Sequence, residues 1–536
     1  MSGRNHVPGY ICLSLALSAV FVSVTSLAMF LYGYVAPALM PALFAAVQGV
    51  AVGNSSSLGV AWYPPNKTWI NDLGRVMGDE GTNGFVFSGS ELPEGVEYGT
   101  YNWCNMPHVR KEEYPVASAE YELQYVEVIH RHHKRTPYAD NTFPDDPTPW
   151  SCTNEALFSY AQPLNPTSIP SAQTYWSLDK SPINPFSPRS PNNSTCQFPQ
   201  ITRGGLEDSY QHGLDLWGVY GDLLGFLPPA NATDDDDAES SSISVRVTAN
   251  VITSQVAGML TRSLIPSLHN STNSTNSTNS TNSTPYPLLL APSATDSLEP
   301  TYPCPAASSA SASYAIGSAH PSWTPHLAAS ASLFAALDAV SGVSADDAAW
   351  HRSWDHYFDN LSARTCHARG LPCRGEEICT TQAQANTIFR LAQLEYSYIY
   401  RDAPESLHAS AASFGLWLAE LALHIRESDG ASRRRRTTTS NRQAEGGSNV
   451  IYRHNVAHDG SIARLLALLQ VDVMVWPGMG SEVVFEVYGR QEDGTDKRYL
   501  RILWGGRIFR SAHPALGRVD MLDVDVFLGY VDGLVG

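Results

Sequence analysis

The pattern of apolar and polar positions predicts strands near both ends of the chain, with helices between them. Tyr121 to Ile129 is a β-branched and aromatic run that is typical of a buried strand, and it ends abruptly in a polar cluster. Further strand patterns cover 243–247, 449–456, 483–488 and 499–504. Helical spacing covers 206–227, 251–264, 350–361, 381–400, 410–426 and 462–469. This order predicts an α/β core that carries a helical insertion.

The N-terminal segment is apolar and almost free of charge. No Lys, Arg, Asp or Glu occurs between Arg4 and Lys67, and Ile11 to Leu31 reaches the roughly 20 residues that span a bilayer. We predict that residues 1–52 form a signal peptide or an N-terminal membrane anchor. Either one sends the rest of the chain into the secretory pathway, as an extracellular, cell-surface or membrane-anchored protein with its main domain on the lumenal side.

Residues 53–536 are predicted to form one domain with inserted segments. We place the α/β core at about 115–140, 200–265 and 405–536, a cap at about 141–199 and 300–400, and a low-complexity loop at 266–300. Asn-x-Ser/Thr acceptors for glycans occur at Asn54, Asn66, Asn193, Asn231, Asn360, Asn270, Asn273, Asn276, Asn279 and Asn282. Seven cysteines follow the apolar leader, so we expect most to form disulfides and one to stay unpaired within the chain.

The charge balance limits the class of ligand. With 34 basic and 52 acidic residues the formal net charge is −18 and the pI is about 5.3. A nucleic-acid-binding protein would present a broad basic face, so this balance argues against nucleic acid as a partner. Any anion site must be a local concentration of positive charge.

Two polar clusters follow predicted strands. The first is His130 to Pro137, and the second is His458-Asp459-Gly460, which opens the helical pattern of 462–469. In α/β sheets ligands collect at the carboxyl ends of the strands, and helix N-termini there favour anions. The two junctions therefore predict a phosphate pocket.

The first cluster resembles the Arg-His-Gly-x-Arg-x-Pro signature of the histidine acid phosphatases, branch 2 of the histidine phosphatase superfamily. Arg131-His132-His133-Lys134-Arg135-Thr136-Pro137 carries this resemblance, and the later His458-Asp459 matches the family's His-Asp pair. Arg246 falls where the family places a third phosphate-binding arginine. The resemblance extends over most of the chain after about residue 100 and implies a phosphoglycerate-mutase-like core, with a mostly parallel central sheet flanked by helices. We compare the chain with the fungal-type secreted acid phosphatases.

The resemblance implies a role for each matched residue, and the residue types suit the reaction. His132 would attack phosphorus to give a phosphohistidine, and Asp459 would protonate the departing oxygen. Arg131, Arg135 and Arg246 would hold the phosphate oxygens with planar forks, and His458 would add a donor. His133 and Thr136 would lie at the pocket. The arginines supply the charge stabilisation, so we predict no cofactor and no metal, and a small phosphomonoester as substrate.

One departure from the signature is His133, which stands where the family has glycine. A Cβ at this position could narrow the pocket or alter the turn. The charged pattern after the third arginine is also reduced, to Ala249, Asn250 and Val251. These changes motivate an alternative: a catalytically impaired cell-surface protein that binds phosphate or a sulfated glycan. A phytase ranks lower among the enzymes, because the insertions carry little extra basic charge.

Overall fold

The computed structural model describes residues 59–82, 94–146, 148–152, 194–228, 242–265, 268, 286–316, 320–436, 450–492 and 495–536, with the pairs 158–159 and 174–175. The predicted leader 1–52 and the Asn-Ser-Thr repeat lie outside these residues, as do Asn54, Asn193 and Asn231. Among the helices that are described, none has the length and apolar character needed to cross a bilayer.

The strands in chain order are β1 (Glu122–Arg131), β2 (Phe158–Ser159), β3 (Thr174–Tyr175), β4 (Ile243–Val247), β5 (Leu288–Leu290), β6 (Cys373–Arg374), β7 (Ile378–Cys379), β8 (Tyr452–Ala457), β9 (Glu482–Glu492), β10 (Thr495–Trp504), β11 (Arg507–Ile508) and β12 (Leu522–Asp523). The α-helices are α1 (Leu73–Gly78), α2 (Arg203–Trp217), α3 (Val251–Leu264), α4 (Pro305–Tyr314), α5 (Thr324–Ala329), α6 (Ala331–Ser341), α7 (Ala348–His351), α8 (Asp355–Cys366), α9 (Gln382–Ser397), α10 (Glu405–Arg436), α11 (Asp459–Leu468) and α12 (Val524–Val535). Short π-helical turns, Gly218–Leu223 and Tyr398–Asp402, follow α2 and α9.

The main sheet has the order β11-β10-β9-β1-β8-β4-β5, with β12 beside β10. The central strands β1, β8, β4 and β5 are parallel neighbours. From β9 outward the pairing is antiparallel. The predicted α/β class, with a mixed sheet whose central strands are mostly parallel and flanked by helices, is confirmed.

Helices cover both faces of this sheet because successive strand residues point to opposite sides. Val128 packs in a core with α2 and α3, whereas the next residue, Ile129, packs in a core with α10, α11 and α12. A third core joins α6, α8 and α9 to Trp103 and Trp476. The predicted cap segment 300–400 thus forms helices α4 to α9, and the disulfide Cys104–Cys366 ties α8 to the chain before β1.

Three disulfides form, Cys104–Cys366, Cys152–Cys196 and Cys373–Cys379, and the buried Cys304 lies outside them. This agrees with the expectation that most of the seven cysteines after the leader form disulfides and that one does not.

Two expectations are wrong. Within the predicted loop 266–300, residues 288–290 form β5, which pairs in parallel with β4 and extends the sheet. Asn360 is only 2% exposed, and its side-chain amide donates to the Asn141 carbonyl at 3.0 Å. A folded helix that buries Asn360 leaves no space for a glycan there, whereas Asn66 is exposed.

Candidate active site

The two polar junctions meet at the carboxyl end of the central strands. β1 and β8 are parallel neighbours whose ends align, with Arg131 opposite Ala457. The backbone after β1 is fixed from both sides: His132 N–H donates to the Ala457 carbonyl at 3.1 Å, and Gly480 N–H donates to the His132 carbonyl at 3.1 Å. The rings of His132 and His458 consequently lie 5.4 Å apart between centroids.

His132 is buried and held in one tautomer. Its Nδ1 lies 3.0 Å from the His133 carbonyl oxygen. Because a carbonyl oxygen only accepts, Nδ1 carries the hydrogen and Nε2 carries the lone pair. Burial lowers the pKa of His132 well below its usual value, and the charges of Arg131, Arg135 and His458 lower it further. A neutral ring with Nε2 unprotonated is the form that a nucleophile requires.

Arg131 and Arg135 flank this ring, and both are almost fully buried. Arg131 donates from Nη1 to the Pro477 carbonyl at 2.7 Å and lies over the ring of Trp103. Arg135 lies 3.0 Å from Asp359. The Nε–H groups of both arginines are buried, and neither finds an acceptor among the residues that the structure describes. An oxyanion at this place would satisfy donors that are otherwise costly to bury.

Asp459 is the first residue of α11, and its carboxylate accepts from two neighbours. Arg131 Nη2 lies 3.2 Å from its Oδ2, and the indole N–H of Trp476 donates to the same oxygen at 2.7 Å. Burial alone would raise the pKa of Asp459, but Arg131, Trp476, Arg135 and His458 outweigh it, so the pKa is lowered. Asp459 is ionised in the free protein and must gain a proton when an anion binds.

His458 is the residue immediately before α11. Its side chain contacts the carboxylate of Glu299, which sequence analysis does not assign to the site. Its Nε2 lies 2.9 Å from Thr248 Oγ1 and 3.2 Å from Glu299 Oε1. Burial raises the pKa of the half-buried Glu299, but its contact with His458 outweighs this and lowers the pKa. Glu299 therefore places a negative charge beside His458.

Arg246 does not join this group. Its guanidinium lies 2.7 Å from Asp296 and 2.9 Å from Glu420, and it also donates to the Ser297 hydroxyl. Asp296 and Ser297 precede Glu299 by two or three residues. Arg246 therefore anchors the turn that carries Glu299 to His458, and the prediction that it binds phosphate is corrected.

The two residues assigned to the pocket from the signature point elsewhere. His133 has a negative φ, so its position does not need glycine, and its Nε2 contacts His212 at 3.1 Å. The position that requires glycine is instead Gly480, where φ is +71° and a Cβ would lie 2.4 Å from the His133 ring. The Thr136 hydroxyl bonds to the backbone at Gln197 and Gln200, so it fixes the loop rather than lining the pocket.

A cavity of about 670 Å³ opens beside Asp459. Its wall includes aromatic side chains, two further carboxylates and one arginine; these are Tyr396, Tyr400, Trp476, Asp355, Glu395 and Arg464. The cavity is large enough for the organic part of a small ester but contains little positive charge.

No protein-family model and no curated protein matches this chain. Similar solved structures include a Hafnia alvei phytase in complex with myo-inositol hexakis sulphate, at 12% identity and a TM-score of 0.45, over 78% of this chain and 98% of that chain. A Klebsiella sp. ASR1 phytase is similar at 14% identity and a TM-score of 0.44, over 80% and 98%. A Bifidobacterium longum multiple inositol polyphosphate phosphatase in complex with inositol hexasulfate gives 12% identity and a TM-score of 0.40, over 76% and 92%. The function is therefore argued from the residues of this chain.

Proposed function

We propose that this chain is a histidine acid phosphatase that hydrolyses phosphomonoesters through a phosphohistidine on His132. One observation carries the proposal: a neutral, tautomer-fixed His132 lies near two buried arginines whose Nε–H groups lack acceptors among the described residues. This arrangement fits a nucleophile directed at a bound oxyanion.

The reaction has two steps. Nε2 of His132 attacks phosphorus, and the bond to the ester oxygen breaks while Asp459 gives that oxygen a proton. Water then attacks the phosphohistidine and returns a proton to Asp459, which releases phosphate and neutral His132. Arg131 and Arg135 hold the equatorial oxygens in both steps. The negative charge of a bound ester raises the low pKa of Asp459. Asp459 is therefore protonated, and able to act as the acid, when the ester is bound.

The carboxylates favour acid pH. When all are ionised, Asp459, Asp359 and Glu299 carry three negative charges against the two positive charges of Arg131 and Arg135. As the pH falls, protonation of Asp459 and Glu299 removes repulsion against phosphate. Turnover with an acid optimum follows from this balance. The disulfides agree with the secretory location that we also propose.

Hydrolysis of p-nitrophenyl phosphate across pH 3–8 tests the proposal, together with trapping of a base-stable phosphoenzyme from a labelled ester. His132→Ala should abolish both turnover and label, and Asp459→Asn should lower turnover. The exposed His408 gives a matched control, and His408→Ala should keep both. A folded wild-type protein that binds phosphate but forms no phosphohistidine would favour the binding-protein alternative.

A further inference from the structure

A second cluster of histidines lies behind the nucleophile loop. His130 at the end of β1, His133 in the loop and His212 in α2 are all fully buried. One ring nitrogen from each lies within 4.8 Å of the other two. The proposed phosphatase reaction uses none of these rings.

The surroundings fix the tautomer of His130. Its Nδ1 lies 2.8 Å from the Arg131 carbonyl, so Nδ1 donates and Nε2 keeps its lone pair. His212 Nε2 lies 3.0 Å from Glu482, and His212 Nδ1 lies 3.1 Å from His133 Nε2. His130 Nε2 and His133 Nδ1 are buried, and neither has a hydrogen-bonding partner among the described residues. Buried ring nitrogens without partners are unusual and call for a ligand.

The three rings come from different parts of the fold, namely β1, the loop after it and α2. Neutral imidazoles are ligands for first-row transition ions, and three of them on different elements form a preorganised donor set.

We propose that His130, His133 and His212 bind one divalent transition-metal ion, with Zn²⁺ as its natural occupant. The carboxylate of Glu482 behind His212 and the Arg131 carbonyl behind His130 orient the ligand rings as outer partners do in known metal sites. His454 offers a further donor, because its buried Nε2 lacks a partner in the described part of the chain and its ring centroid lies 4.7 Å from that of His130.

The ion would have a positioning role rather than a catalytic one. It would tie β1, the nucleophile loop and α2 together on the side away from phosphate. His133 is the residue whose carbonyl fixes the tautomer of His132, so a metal on the His133 ring would stabilise that carbonyl's position. The ligand set depends on His133 replacing the signature glycine, so the site is a feature of this chain.

The test measures metal content independently of turnover. Because the rings are buried, the ion is expected to load during folding, so the protein is produced with Zn²⁺ or Co²⁺ in the medium and dialysed. Elemental analysis then gives the metal-to-protein ratio, and the visible spectrum of the Co²⁺ form reports nitrogen ligation. The variants are His133→Gly and His212→Gln, and the control is His326→Gln, which removes a buried histidine bonded to Glu395.

We expect about one ion per wild-type chain, the same for the control, and at least a ten-fold loss in both ligand variants. Asp459→Asn, which lowers turnover, should retain the ion, and this separates the inference from the phosphatase proposal. A wild-type protein without metal would overturn the inference, as would a metal content in His133→Gly and His212→Gln equal to that of the wild type. If one ligand variant fails to fold, the other decides.

Discussion

The carboxylate of Glu299 lies 3.2 Å from Nε2 of His458, so a negative charge stands at the edge of the phosphate site. We predict that Glu299→Gln lowers KM for a phosphomonoester at neutral pH by roughly three- to ten-fold, because it removes repulsion against the bound ester. The pKa of Glu299 is lowered, so this repulsion is present at neutral pH and disappears as the pH falls through that pKa. Steady-state kinetics from pH 3 to 7 measure the effect.

The pH dependence is the sharper part of this test. The KM values of wild type and Glu299→Gln should converge at the acid end and diverge as the pH rises. A constant ratio across the range would show that Glu299 acts through the position of His458 and not through its charge.

The second prediction concerns Asp459 as proton donor. Asp459→Asn should reduce kcat/KM for an alkyl phosphate by about 10²- to 10³-fold but should reduce it far less for p-nitrophenyl phosphate. An alkoxide needs a proton to depart, whereas p-nitrophenolate leaves readily without one. Because kcat/KM reports only the steps up to departure of the alcohol, an equal loss of kcat/KM for both esters would contradict the role of Asp459 as proton donor.

The sequence predicts much of this site because its main parts are local. The strand patterns around β1 and β8 each end in a polar cluster, and parallel pairing brings His132 and His458 together. Glu299 and Trp476 escape prediction because they reach the site from loops, and only the folded chain shows their contacts. Arg246 shows the opposite error. Its residue type and its place in the sequence match the family's third arginine, but in the fold its guanidinium forms an ion pair with Asp296.

The histidines of the signature show the same limit. From the sequence, no carboxylate partner is evident near the three histidines of the first polar cluster, and no metal site is predicted. The fold supplies His212 from α2 and Glu482 from β9, which are far away in the chain. Contacts between distant segments are set by packing of the two sheet faces, and a single sequence does not display them.

Trp476→Phe should raise the pKa of Asp459. The indole N–H donates to the carboxylate and favours its charged form, so its loss favours the protonated form. The basic limb of the kcat/KM profile should therefore move to higher pH. Trp103→Phe is a matched control, because the buried Trp103 indole N–H has no hydrogen-bond partner among the described residues. An equal shift in both variants would contradict the assignment.

The Arg246→Met variant tests whether Arg246 stabilises the turn that carries Glu299 or instead binds phosphate. Asp296 is 1% exposed, so removal of its cationic partner should lower the free energy of unfolding by about 3–5 kcal/mol. The inhibition constant for inorganic phosphate should stay nearly unchanged. Arg131→Ala should instead weaken phosphate inhibition by about 100-fold, since a charge-assisted contact would be lost.

A double variant completes the Arg246 test. Arg246→Met with Asp296→Asn removes the unpaired buried charge and should recover most of the lost stability in urea unfolding. If phosphate inhibits Arg246→Met as weakly as it inhibits Arg131→Ala, Arg246 contributes to phosphate binding and the anchoring role is wrong.

The cavity beside Asp459 predicts the kind of ester that this site prefers. Tyr396, Tyr400 and Trp476 offer aromatic surface, and the carboxylate of Asp355 opposes additional negative charge. Naphthyl phosphate should therefore exceed inositol hexakisphosphate in kcat/KM at pH 5 by at least about ten-fold, since like charges across a site discriminate strongly. Tyr400→Leu should reduce the ratio of kcat/KM for naphthyl phosphate to that for inositol hexakisphosphate. Tyr210→Leu in α2, outside the cavity, should leave this ratio unchanged. Faster hydrolysis of the hexakisphosphate would show that its charge is accommodated by groups outside this cavity, and the aromatic wall would then have no part in selecting the substrate.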